Sequence, residues 1–349
     1  MDSSRSNPPC LIIFRIGSVG DTIVSVPCFH AIARSFPGHR RILLTNAVDS
    51  VRASSAESIL SGTGWIHETL YFNVGPAKLR YSVALARKLR SLNADALIHL
   101  TPRTSALQVL RDLVFFRTAG IRKIIGAPLR VGVRECQVDA ATGELEFEAE
   151  RLARLLKPRI DVDLRSPDWD LCLTADEQAM ATRKLAGLRS ARFRVALAPG
   201  ARIPAKDWGE QRWGALIKEL QRRVPDVALV FVGAPDERSL AERVSQSWQG
   251  DKINLCGDLS PRESAAVLSR CDLLICHDSG PMHLAASQGT HCVALFGDFN
   301  RPRQWFPYGS GHIVIHQPRG VQNIDVGQVA DAVEAGLRQS TPRETLETC

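Results

Sequence analysis

The chain has 349 residues, about twice what one hydrophobic core comfortably serves, so two domains are expected. Its 44% hydrophobic and 23% charged residues make an ordinary soluble globular composition and exclude a disordered tail, a collagen-like fibre and a small disulfide-stapled domain. The formal charge of +7 is uneven: residues 1–165 carry 23 Lys and Arg against 15 Asp and Glu, and residues 78–134 carry twelve cations against Asp95 and Asp112 alone, a cationic face suited to an anionic partner.

In chain order, the first apolar run, 11–14, is closed by Arg15 and is too short for a targeting segment or a membrane span. A strand over 11–16, the turn Gly17-Ser18-Val19-Gly20-Asp21, a helix-compatible stretch to Phe36 and a strand over 42–45 read as the βαβ opening of a parallel sheet. Pro27 should kink or divide that helix. A helix over 80–92 and a strand over 96–100 continue the alternation, more faintly, to 165. Residues 165–170 read as linker, and Thr174-x-x-Glu177 opens a helix as a capping box. Strands follow at 195–198, 228–232, 273–276 and 292–296, alternating with helices at about 210–223, 236–247, 261–270 and 281–288. A last helix near 327–338 precedes a polar tail expected to fray.

The expectation is therefore α/β: two doubly wound, Rossmann-like domains, 1–165 and 191–322, joined by a linker and helix over 166–190 and followed by a helix and tail over 323–349. Any ligand is expected in the crevice where strand C-terminal ends face one another. The nine cysteines are scattered without a C-x-x-C pair and read as buried thiols of a reducing cytoplasm.

Chemistry gathers in three connections of the second half. Cys276-His-Asp-Ser-Gly-Pro-Met-His283 follows a strand and opens a helix. Asp278 and Ser279 can cap that helix, Gly280 admits a ligand to the backbone, and His283 lies in the first turn, so the segment is either a well-made helix start or an anion site. Ala198-Pro-Gly-Ala-Arg-Ile-Pro-Ala-Lys-Asp-Trp208 brings Gly200, Arg202 and Lys206, either a solvated loop or charge neutralisation for a diphosphate. Phe231-Val-Gly-Ala-Pro-Asp-Glu237 ends a strand and offers Glu237 to ribose hydroxyls or a base edge. Three such connections on one sheet edge argue for a shared nucleotide site.

In the first half Asp21 sits at the mouth of the sheet, either as a helix cap or as a group that takes a proton from a substrate hydroxyl. G-x-G-x-x-G and P-loop patterns are absent. His277, His291 and His312 have no metal-ligand spacing, and no metal site is assigned.

Four ordered segments then carry a resemblance: I-I-F-R-I-G-S-V-G-D-T-I-V-S-V-P (12–27), P-G-A-x-x-x-x-K-x-W (199–208), F-V-G-A-P-D-E (231–237) and D-S-G-P-M-H-L-A-A-S-Q-G-T-H-C-V-A-L-F-G (278–297). Together they resemble glycosyltransferase family 9, the heptosyltransferases of lipopolysaccharide core assembly. The basic middle, 50–165, carries no matching motif; in this family it is the acceptor-binding region.

The resemblance implies a GT-B fold, two Rossmann-like domains facing across a cleft, with acceptor on the N-terminal and sugar nucleotide on the C-terminal domain. By matching positions, Asp21 resembles the general base, Lys206 the diphosphate-binding lysine and Glu237 the nucleoside contact. Asp278, Ser279, Gly280 and His283 line the sugar and diphosphate end, with Gly200, Ala201 and Arg202 beside them, and Leu259 flanks the base. Ala201 and Arg202 stand where heptosyltransferases proper often have hydroxyl residues, which leaves the donor sugar open. Gly17, Ser18, Arg103, Arg111, Arg117 and Lys123 are the candidate acceptor contacts.

The implied reaction is an inverting, metal-independent transfer of heptose or a related sugar from a nucleoside-diphosphate sugar, ADP-heptose being one candidate, to a lipopolysaccharide core or other anionic glycan. Leaving-group charge falls on Lys206, Arg202 and the Ser279-Gly280 helix terminus rather than on a cofactor. Partners are then the donor and a lipid-linked acceptor at the cytoplasmic face of the inner membrane, with the protein a monomer. Sparse aromatic residues in the basic stretch make nucleic acid a poor partner. The other readings are a sugar-nucleotide epimerase of the same fold and a non-catalytic anionic-glycan-binding protein.

Overall fold

The computed structural model describes residues 8–47, 56–72, 78–101, 105–165, 168–188 and 191–339, with side chains of 78–82 left aside. The chain divides into two units, 1–171 and 172–349.

The first unit runs β1 (Cys10–Phe14), α1 (Val19–Ile23), α2 (Val26–Ser35), β2 (Arg40–Asn46), α3 (Glu57–Leu60), β3 (Glu68–Phe72), α4 (Lys78–Ser91), β4 (Ala96–His99), α5 (Ala106–Thr118), β5 (Ile124–Ile125), α6 (Val131–Arg134) and α7 (Glu148–Leu156). Its five strands are parallel in the order β3-β2-β1-β4-β5. Covered on both faces, the central strand β1 is apolar throughout and fully buried. Pro27 divides the first helix as expected: α1 ends at Ile23, and α2 restarts with the proline in its first turn, where no amide is needed. Phe14 meets Phe116 edge-on at 5.0 Å in a core shared with Ile12, Leu44 and Leu97.

The second unit runs α8 (Ala175–Leu185), β6 (Phe193–Ala198), α9 (Glu210–Arg223), β7 (Val227–Phe231), α10 (Arg238–Val244), β8 (Lys252–Asn254), α11 (Pro261–Leu268), β9 (Leu273–His277), α12 (Gly280–Ser287), β10 (His291–Phe296), β11 (Ile313–His316) and α13 (Val326–Gln339). Its six parallel strands stand in the order β11-β10-β9-β6-β7-β8. The Thr174–Glu177 capping box forms at the start of α8. Trp208 and Trp213, both fully buried and edge-to-face at 5.1 Å, anchor the core under α9.

Four strands escaped the pattern reading: β3, β5, β8 and β11. All are short and at or next to sheet edges, where half-exposed faces erase the continuous apolar run. The helix expected over 236–247 is a 3-10 turn at Pro235–Glu237 followed by α10. The expectation of buried thiols fails at Cys172, which is exposed, and at the partly exposed Cys136; Cys349 and the tail lie outside the described residues.

Candidate functional site

Each sheet turns back on itself once. In the first unit the reversal lies between β1 and β4, in the second between β6 and β9. The crevice outside the strand C-termini at such a reversal is where open α/β sheets hold ligands.

At the first reversal Ser18 caps α1 and Asp21 is its third residue. The Asp21 Oδ2 accepts from the Ser18 backbone N–H at 2.7 Å and from its Oγ at 2.7 Å. The carboxylate of the half-buried Asp21 therefore does form a capping box, yet only through Oδ2, and its Oδ1 accepts no hydrogen bond among the described residues. Gly17 makes this possible with φ +138, its bare Cα lying against the Asp21 side chain. Beneath, the fully buried Arg15 donates to the Leu100 carbonyl at 3.0 Å and to the Asp21 carbonyl, tying the ends of β1 and β4 to α1. Burial lowers the Arg15 pKa, with Asp21 and Glu148 opposing that shift. A second buried guanidinium, Arg151, pairs with the equally buried Glu148 at 2.5 and 2.9 Å and donates to the Thr101 carbonyl at 3.1 Å.

The proposed acceptor cations do not converge there. Arg111 is exposed and paired with its neighbour Asp112 at 2.8 Å. Exposed Arg117 lies about 9 Å farther along α5 at 1.5 Å per residue. Lys123 precedes β5 and so stands at the opposite end of the sheet from Asp21. Arg103 lies outside the described residues.

At the second reversal Lys206 follows β6 and Asp278 follows β9. The Lys206 Nζ meets the Asp278 Oδ2 at 2.7 Å, and both side chains are largely buried. The Asn300 amide donates to the same oxygen, and Nζ lies 4.9 Å over the Phe299 ring. This corrects the expected cap: Asp278 serves Lys206 and Asn300, and Ser279, at the N-cap position of α12, turns its Oγ to the His277 carbonyl at 3.3 Å. No side chain caps α12, whose first residue is Gly280. His283 is buried, edge-on to Trp305 at 6.3 Å. Ala201 is half-buried, and Arg202 is exposed without an ion pair among the described residues.

Glu237 folds back rather than pointing outward. Its Oε2 accepts from the Ala234 N–H at 2.8 Å, and its carboxyl fills the space that side chains on Gly200 and Gly233 would take. The connections after β6 and β7 thus meet at one carboxylate. Leu259 is half-buried beyond β8, just before the Ser260 cap of α11.

His277, which lacks metal-ligand spacing, has a mechanical role. Fully buried, its Nε2 accepts from the Trp208 N–H at 3.0 Å and its Nδ1 donates to the Gly200 carbonyl at 3.3 Å. These partners fix a neutral ring, and burial lowers its pKa to about 4. One side chain so pins both ends of the 200–208 loop that carries Lys206. Sequence patterns also missed Phe299, Asn300 and Trp305. A glycine-aspartate-phenylalanine-asparagine turn after a strand was their only signal. Among the described residues no three His, Cys, Asp or Glu side chains are placed to hold a metal, and no helix is long and apolar enough to cross a membrane.

A family model described as glycosyltransferase family 9 (heptosyltransferase) matches residues 82–326. Among sequence relatives, the lipopolysaccharide core heptosyltransferase OpsX of Haemophilus influenzae is 21% identical over 321 residues, covering 87% of this chain and 83% of that protein. Among solved structures, a glycosyl transferase family 9 protein from Veillonella parvula aligns with TM-score 0.72 and 18% identity over 97% of this chain and 100% of its own. The Escherichia coli heptosyltransferase WaaC with ADP aligns with TM-score 0.65 and 17% identity over 94% and 99%. The two parallel α/β units are those of a GT-B fold.

Proposed function

This chain belongs to glycosyltransferase family 9 and is a glycosyltransferase, and on that premise we propose that it transfers heptose or a related sugar from a nucleoside diphosphate to an anionic, lipid-linked glycan of the lipopolysaccharide core. The observation that carries this reading is the Lys206–Asp278 pair at the β6/β9 reversal, beside the Gly200–Glu237 contact. A cation held at the ligand crevice by a single carboxylate is poised to exchange Asp278 for diphosphate oxygens. The relatives named for core heptosyltransfer and for bound ADP support ADP-heptose as the donor.

In this reading Asp21 takes the acceptor proton on Oδ1 while Ser18 holds Oδ2. The freed oxygen attacks the anomeric carbon opposite the leaving diphosphate, which departs with the electron pair, and the configuration inverts. Lys206, Arg202 and the N-terminus of α12 receive the growing charge, the role a metal would otherwise fill. The reaction is set at the cytoplasmic face of the inner membrane, and the cations Arg111, Arg117 and Lys123 attract the acceptor at long range.

The test is a panel of nucleoside diphosphates followed by thermal shift, then transfer assays with and without acceptor. A matching nucleotide at 100 times its dissociation constant should add about 2.7 kcal/mol of stability. Sugar release should require acceptor. Conversion of donor to an epimer without acceptor would assign an epimerase instead, and failure of every nucleotide to bind would leave only a glycan-binding role.

A further inference from the structure

Helix α5 holds apolar residues that the fold does not use. Val109 and Phe116 are buried in the core, while Leu107, Leu110 and Val114 are 79%, 52% and 55% exposed. One exposed leucine is ordinary. These three stand at i, i+3 and i+7, which at about 100° per residue places them in a single stripe roughly opposite Val109 and Phe116. On the same count Arg111 falls about 60° to one side of the stripe's centre and Arg117 about 60° to the other, both exposed. An apolar ridge between arginines on an outer helix is the pattern of an interfacial helix.

The topology extends the ridge. Strands β4 and β5 are parallel neighbours, so the start of α5 and the connection after β5 leave the sheet at the same edge. That connection brings exposed Leu129 (48%) and Val131 (63%). Asp21 follows β1 at this edge too.

We propose that α5 docks the protein on an anionic lipid bilayer, with Leu107, Leu110 and Val114 entering the headgroup boundary and Arg111 and Arg117 at phosphate level. Charge selects this partner. From 105 to 131 the chain carries Arg111, Arg117, Arg122, Lys123 and Arg130 against Asp112 alone, and Asp112 is already engaged by Arg111 at 2.8 Å and lies 3.6 Å from the buried His99 ring. A second copy of the chain would meet this patch with the same cations and be repelled, whereas phosphatidylglycerol headgroups complement it. Docking would bring the Asp21 edge of its own unit to the surface in which a lipid-linked acceptor is held. The inference deepens the reading of a lipid-linked acceptor, and it is measured without sugar transfer, so either can fail alone.

The test is flotation of the full chain with vesicles of phosphatidylcholine containing phosphatidylglycerol, against vesicles of phosphatidylcholine alone. The wild type should bind the anionic vesicles, and a variant carrying Leu107→Ser, Leu110→Ser and Val114→Ser should bind them roughly tenfold or more weakly. Because the three side chains are exposed, the variant should keep its melting temperature and its turnover on a delipidated soluble acceptor. A measurable part of wild-type binding should survive salt that screens surface charge. Wild-type protein that ignores anionic vesicles, a variant that binds them equally well, or binding wholly abolished by salt would overturn the proposal. So would a wild-type dimer in light scattering that the triple variant dissolves.

Discussion

Gly17 and Asp21 share one small volume: a Cβ on Gly17 would lie 2.6 Å from the Asp21 Cβ and 2.8 Å from its carboxyl carbon. The turn is therefore glycine for two reasons, its φ of +138 and the carboxylate resting on it. Gly17→Ala should push Asp21 off Ser18 and lower transfer by roughly 10²- to 10⁴-fold, the range for a lost general base. Asp21→Asn, which can still accept from Ser18 through its amide oxygen, should lose as much without displacing the turn. Calorimetric affinity for the nucleoside diphosphate should be unchanged in both. Transfer by Asp21→Asn at near wild-type rate would leave the carboxylate a helix cap only.

Removing Lys206 deletes the cation that Asp278 holds. Lys206→Ala should weaken nucleoside diphosphate binding by about 1.5 to 3 kcal/mol and slow turnover as well, since charge on the leaving group grows during departure. Isothermal titration of the nucleotide checks the first effect and saturating kinetics the second. Unchanged affinity would take Lys206 out of the site.

His277 makes stability depend on pH in a defined window. The folded ring stays neutral down to about 4, while the unfolded ring takes up a proton near 6.5. Between those values the unfolded state binds more protons, so stability is full above about 6.5 and falls as pH drops towards 4, by roughly 3 kcal/mol. Urea midpoints measured across this range should show that slope in the wild type and a shallower one in His277→Asn. Equal slopes would mean that the ring is not held neutral. Loosening of the 200–208 loop should also raise the Michaelis constant for donor in the variant, even at neutral pH.

Divalent metal should be dispensable, because the proposed leaving-group stabilisation rests on Lys206, Arg202 and the α12 terminus. Transfer assayed in excess EDTA should proceed at its full rate. Activity lost on chelation and restored by Mg²⁺ or Mn²⁺ would replace that chemistry with another.

What the sequence made legible was local. The apolar runs of β1, β6, β7, β9 and β10, the Thr174–Glu177 box and the break at Pro27 each lie within a few neighbouring residues, so pattern alone locates them. The site's wiring is long-range: Lys206 reaches Asp278 across 72 positions, Trp208 reaches His277 across 69, and Arg15 reaches Leu100 across 85. Ser279 shows the limit most clearly. It has the right side chain in the right place for a cap, and the carbonyl of His277 takes its hydroxyl instead. Asn300 and Phe299 were illegible because nothing near them in sequence predicts contact with a lysine after another strand.

The clamp around His277 is also optically visible. Trp208 gives its backbone amide to the imidazole and its indole N–H to the Ile324 carbonyl, and Trp213 lies edge-on to both Trp208 and His277. The loop that carries Lys206 is thus fastened to two buried indoles whose emission depends on their packing and on the charge of the ring beside them. Intrinsic fluorescence should therefore follow the fastening and release of this loop in real time, as nucleotide arrives or as acid protonates the imidazole, without any attached dye.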